Sequence, residues 1–254
     1  MKRNIYFAAV FAILLISGCS KPAVPVGVLL DQAAGKASEG DWAAANRLAG
    51  DALKQDKQNA DALMLKALAC SNLDARHEAV EYAIQAARIK PQLFLAHYIQ
   101  GMLLSKNGKP DLALKALKEA RRLRPGDINT LILLAENSMA VRRYQEAAGY
   151  FKQLAMQDKS YQSSPYLWNG LGVCYSARDP RLALRFFQMA ARFAPNDPIT
   201  TLNQAVLHDR YLSQKDNANA IRSYERLIKL TDGKAEFDTI RRQAAFRLDT
   251  LKGR

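Results

Sequence analysis

The feature that most constrains this chain is a recurrence every 34 residues. Pro91 and Pro125 stand 34 residues apart, and stepping back from each finds two alanines seven apart, Ala79 with Ala86 and Ala113 with Ala120. Seven residues are two turns of helix, so each alanine pair lies on one helical face. Small side chains there let a second helix approach closely, while the larger residues around them fill the gaps. The proline that follows lacks an amide donor and ends the helix. A helix pair repeated at this period cannot bury its apolar face alone, so neighbouring copies must stack and share a core. The period therefore predicts an all-α solenoid, because a plain helical bundle has no reason to repeat in phase.

One stretch carries a fuller pattern. Trp168, Leu171, Gly172, Tyr175, Ala183, Phe187 and Pro195 follow W-x2-L-G-x2-Y, then A-x3-F, then P, with the gap between the halves one residue short. This resembles the tetratricopeptide repeat (TPR), and the resemblance implies a right-handed α-solenoid of helix-turn-helix units. The 34-residue frame places about six units at 26–59, 60–93, 94–127, 128–161, 165–197 and 198–234. The first has Gly40, Asp41 and Trp42 at its interhelix turn, and the third has Gly108, Lys109 and Pro110. In the fourth, Lys159 replaces the terminal proline and the loop 160–164 adds three residues. The sixth fits only with a lengthened turn around Ser213 to Asn219. Residues 235–251 read as one more amphipathic helix, with Phe237, Ile240, Ala244, Phe246, Leu248 and Leu251 on its apolar side, so 235–254 is expected to cap the array.

The N-terminus reads as a targeting segment. Lys2 and Arg3 precede an apolar run from Ile5 to Ile16, and no acidic residue appears before Asp31. That run is 12 residues, short of the roughly 20 that a spanning helix needs. Residues 1–18 are therefore expected to be a cleaved signal. Ile16, Ser17, Gly18 and Cys19 resemble a bacterial lipobox, which implies acylation of Cys19 and a lipidated tether over residues 19–25. An ordinary signal peptide with a chance cysteine is the alternative. By the sorting rule of such lipoproteins, Ser20 in place of Asp implies the outer membrane, facing the periplasm. Acyl chains anchor at about 0.8 kcal/mol per buried methylene, so several chains attach stably.

The chain carries a formal net charge of +13, or about +11 once residues 1–18 are removed. Such a field suits nucleic acid, anionic headgroups or acidic proteins, and speaks of association rather than fold. Export leaves a membrane surface or an acidic partner, with a merely solvated basic face as the alternative; nucleic acid is not expected. Cys70 and Cys174 lie in apolar helical stretches of repeats too far apart to touch, so two free, buried thiols are expected.

Function must come from the surface. In TPR arrays the first helix of each unit lines the concave face, and at the corresponding positions stand Leu68, Leu95, Tyr98, Met102, Ile132, Met139, Tyr166, Asn169 and Val173. Met and Tyr suit adaptable contact with an apolar helix or peptide, so these nine residues are the expected partner-binding groove. Burial of many of them by neighbouring repeats is the alternative. A carboxylate clamp of Lys, Asn and Arg fits poorly: Asn169 and Asn203 lie in suitable helices, but Leu30, Met64 and Tyr98 occupy the matching earlier positions. His77, His97 and His208 fall in different repeats, and no HExxH, GxSxG, phosphate-binding glycine loop or paired CxxC occurs. The reading is a non-enzymatic chain with no catalytic residue, cofactor or metal. Lys118, Arg121, Arg122 and Arg124 lie at the end of a second helix, where cations favour the negative end of the macrodipole.

The lipobox, six or so repeats and this length together resemble two groups of periplasmic lipoproteins. One is the TPR lipoprotein of tight-adherence (Tad/Flp) pilus systems, slightly preferred, and the other is the TPR pilotin of type IV pili, which helps the secretin ring assemble. Both imply a protein-binding assembly factor for a pilus or secretion machine, with a pilus or secretin component as partner. A third group scaffolds peptidoglycan hydrolases and implies a different function.

Overall fold

A computed structural model describes residues 23–212 and 217–253. The apolar leader, Cys19 and part of the sixth unit's long turn lie outside the described residues. Among the described residues every regular element is helical, and the helices come in pairs. The pairs are α1 (Val26–Ser38) with α2 (Trp42–Gln55), α3 (Ala60–Asn72) with α4 (Arg76–Ile89), and α5 (Phe94–Lys106) with α6 (Pro110–Leu123). They continue with α7 (Ile128–Ala140) and α8 (Tyr144–Gln157), α9 (Pro165–Tyr175) and α10 (Pro180–Phe193), and α11 (Pro198–Arg210) and α12 (Asn217–Thr231). A last helix, α13 (Asp238–Leu251), follows. Each helix packs on the next in order, and first helices also meet across units, as α1 does with α3 and α9 with α11. This is an α-solenoid.

Local chemistry sets the helix ends. Asp41, Asn59, Asp127 and Asp179 each accept a hydrogen bond from the backbone amide three residues on, at 2.8–3.0 Å. These side chains satisfy donors that have no partner inside the helix. The second helices α4, α6 and α10 stop two residues before Pro91, Pro125 and Pro195, as the missing amide requires. Between α8 and α9 the additional residues form a short 3-10 helix, Lys159–Ser163, held by Trp168 Nε1 donating to the Gln162 carbonyl at 2.8 Å. The C-terminal helix begins at Asp238, later than the apolar periodicity suggests, because Gly233 turns the chain through φ +70° and Ala235–Phe237 form a 3-10 turn.

Packing rests on a lattice of small residues. Ala33, Ala67, Ala135 and Ala205 in first helices and Ala45, Ala79, Ala113, Ala147, Ala183 and Ala220 in second helices are all 0% exposed. Gly101 and Gly172 take the same place in α5 and α9. A Cβ on Gly101 would stand 2.5 Å from Leu117, and one on Gly172 would stand 2.3 Å from Phe187. Phe187, Phe151 and Leu117 are themselves fully buried, so they have little freedom to retreat. Cys70 and Cys174 are buried and free.

The final helix is fixed by a charge as well as by apolar contact. Ala205, Tyr224, Leu227, Ala244 and Leu248 form its core. Arg247 donates from Nε and Nη2 to the two carboxylate oxygens of Asp209, both at 2.7 Å, and the Asp209 side chain is 1% exposed. The Arg247 guanidinium holds the Asp209 carboxyl below its ordinary value, against the opposing pull of burial.

Two outcomes follow. Gly101→Ala and Gly172→Ala should each cost about 1–3 kcal/mol by overpacking, whereas Gly35→Ala in α1, with nothing within 4 Å, should gain about 0.5–1 kcal/mol; denaturant unfolding checks the sign of each. A depressed carboxyl contributes stability above the unfolded value of about 3.9 and loses it as pH falls through the folded value. The wild type should therefore lose stability more steeply below about pH 4 than Asp209→Asn, and above about pH 5 the variant should be the weaker by about 1–2 kcal/mol.

Candidate functional site

An apolar hollow of the array lies where the repeat step is stretched. Ala33, Ala67, Gly101 and Ala135 follow one another at 34 residues, but the next in the series, Gly172, comes after 37. A cavity of about 700 Å³ opens there, walled by α7, α8, α9 and the start of α11. Met139, Tyr144, Phe151, Tyr166, Val173 and Ile199 supply its apolar surface. Gly170 forms part of the lining because the Phe151 ring lies where its Cβ would be, at 2.2 Å. The rings of Phe151 and Tyr166 meet edge to face at 5.6 Å.

A polar ladder fixes one side. Asp197 caps α11 by accepting from the Ile199 and Thr200 amides at 3.2 and 2.8 Å. Asn169 Nδ2 donates to Thr200 Oγ1 at 2.7 Å, and Asn203 Nδ2 donates to Asn169 Oδ1 at 3.3 Å. The two asparagines are thus tied into a chain that joins α9 to α11, and their amides are spent on each other and on Thr200. On the other side Tyr166 donates its hydroxyl to Glu136 Oε1 at 3.0 Å. Burial and the Glu136 charge push the Tyr166 hydroxyl far above its ordinary value, so it stays a neutral donor. Among the described residues Asp197 is the one charged residue lining the cavity, and no cation lines it.

Of the nine expected groove residues, four meet here: Met139, Tyr166, Asn169 and Val173. Of the other five, Leu68, Leu95, Tyr98 and Met102 lie in earlier units, and Ile132 lies in α7 with Met139 but outside the lining. Leu68, Tyr98 and Met102 pack against the central core, and Tyr98 stacks on Phe94 with ring centroids 5.7 Å apart. Ile132 is half-buried, and Leu95 is 45% exposed. Sequence reasoning missed Tyr144 and Phe151, which lie in a second helix, and Asp197, which is a cap, because it was confined to first helices; Ile199 lies in a first helix, α11, and was passed over. The lengthened step between the fourth and fifth units is the signal that could have found them. The histidines lie apart, with His97 Nε2 2.8 Å from the Pro91 carbonyl and His77 3.8 Å from Glu81. Among the described residues no three His, Cys, Asp or Glu side chains gather as metal ligands, and no helix is long and apolar enough to cross a membrane.

Residues 60–93 and 132–198 match models of the tetratricopeptide repeat. The fold is that of a TPR α-solenoid. Similar solved structures include YrrB, described as a TPR protein with an unusual peptide-binding site, at 22% identity and TM-score 0.63, covering 72% of this chain and 91% of that one. They include pilF of Pseudomonas aeruginosa, at 18% identity and TM-score 0.61 over 86% of this chain and 97% of that one. A third is MamA from Desulfovibrio magneticus RS-1, at 15% identity and TM-score 0.61 over 69% and 97%. No curated protein matches the chain in sequence.

Proposed function

We propose that this chain is a non-enzymatic adaptor, tethered by lipid at Cys19 to the outer membrane, whose pocket between the fourth and sixth units holds an apolar segment of a partner protein. The observation that carries the reading is the apolar hollow of about 700 Å³. Its floor is pre-formed, since Phe151 is fully buried and the Asn169 to Thr200 bond fixes α9 against α11. An ordered site loses less entropy on binding and so retains more of its contact energy. The absence of a lining cation disfavours a chain-terminal carboxylate and favours an internal segment.

The machine served is proposed to be a pilus or its secretin. The lipobox and the length resemble pilus lipoproteins, and the likeness to pilF, a likeness of fold, is compatible with that. Scaffolding of peptidoglycan hydrolases is the competing reading, and the partner recovered decides between them.

Ile199 is 43% exposed in the pocket and lies in the first turn of α11, so Ile199→Asp should fold normally and place a charge in the site. In the native host this variant should keep its membrane attachment but lose pili and secretin multimers, while Cys19→Ala should shift the protein to the soluble fraction. Normal pili and secretin multimers in the Ile199→Asp strain would overturn the reading.

A further inference from the structure

On the far side of Tyr144 the character of the surface inverts. Two adjoining hollows of about 140 and 510 Å³ share Tyr144, Gln145, Cys174 and Arg178 as lining. Four cations face them, namely Arg142, Arg143, Lys152 and Arg178, against the single carboxylate of Glu146. That carboxylate is already engaged by Lys118 at 2.7 Å, by the Tyr150 hydroxyl at 3.0 Å and by Arg143 at 4.0 Å. Arg143 is further held by Asp111 at 3.1 Å. Lys152 leans on Tyr175, 3.1 Å from its hydroxyl, and meets no carboxylate. Arg142 and Arg178 are exposed, and their guanidinium groups have no hydrogen-bond or ion-pair partner among the described residues.

The floor adds no negative charge. Cys174 is buried, and burial pushes its thiol up to about 12, so it remains neutral.

Arg142 is also held where an arginine is out of place. Its φ is +60°, in the left-handed region that this turn adopts in each of the first four units, at Gly40, at Asp74 with φ +63°, at Gly108 and here. A side chain in that conformation costs free energy that glycine avoids.

We propose that this cleft binds the carboxylate side chains of an acidic peptide segment, Asp or Glu residues of a partner protein. Guanidinium groups match carboxylates in paired, charge-assisted hydrogen bonds. A lipid bilayer presents a flat array of headgroups, which fits a concave cleft less well. Tyr144 is also a wall of the apolar pocket, so one segment can place apolar residues on one side of this ring and acidic residues on the other. That continuity rests on the pocket reading above, whereas the anion site stands without it.

The test uses fluorescein-labelled hexaglutamate, with hexaglutamine as its uncharged counterpart, followed by anisotropy at low ionic strength. The mature chain should bind hexaglutamate and not hexaglutamine. The double variant Arg142→Gly/Arg178→Gln should bind about tenfold more weakly or less, a change of one decade per 1.4 kcal/mol. Its melting temperature should not fall, because glycine suits position 142. A charge-matched control, Arg88→Gln/Lys115→Gln, removes two exposed cations outside the cleft and should change affinity little. Ile199→Asp should leave hexaglutamate binding intact, so that failure of the apolar pocket and failure of this cleft are told apart. Equal losses in the control and the cleft variant would overturn the proposal, as would wild-type affinity in the cleft variant. Loss of binding to phosphatidylglycerol vesicles through the same two arginines, with hexaglutamate unaffected, would assign the cleft to lipid and overturn it too.

Discussion

The close approach of the two helices within each unit is the interaction on which everything else depends. At each crossing a residue with no more than a methyl group faces its partner helix, and the positions recur as Ala33, Ala67, Gly101, Ala135, Gly172 and Ala205. Every alanine of that series is 0% exposed. Close crossings allow dense packing of the larger residues around them, such as Leu117 and Phe187. The arrangement is local, because each unit leans on its neighbours, and the core runs on from unit to unit. A solenoid of this kind can accept an inserted turn between units without losing its remaining contacts.

That tolerance is what makes the site. The step between the fourth and fifth units is three residues longer, the five-residue 3-10 helix Lys159–Ser163 lies in it, and the apolar hollow opens beside it. The same stretch of chain carries opposite chemistry on its two sides. Tyr144 has an apolar pocket with one carboxylate, Asp197, on one side and a cleft with four cations on the other. Basic charge in this protein is thus partly organised and not merely a diffuse surface field. At the C-terminal end the same logic of pairing is used for structure, where Arg247 neutralises the buried carboxylate of Asp209.

The helix pairs were legible in the sequence because small residues at a closest crossing have few substitutes, so they repeat in phase. Helix ends were legible wherever proline follows a second helix. The groove was less so. First-helix periodicity names residues that face the inner side, but it does not tell which of them fold back onto the core. Leu68, Tyr98 and Met102 pack against it, whereas Leu95 stands in solvent. The pocket draws Phe151 and Tyr144 from a second helix and Asp197 from a cap, positions that a reading confined to one helix per unit leaves out. Arg142 was hidden for another reason: only its backbone angle distinguishes it from the other surface arginines.

The central claim is that the hollow beside Tyr166 and Ile199 is where a partner docks, and site-specific photocrosslinking in intact cells tests it most directly. A photoreactive residue at position 199 should capture one discrete protein. The same residue at position 156, where the side chain is 80% exposed and lies outside the pocket lining, should not. Adducts of the same protein in equal yield from both positions, or none from position 199, would contradict the account.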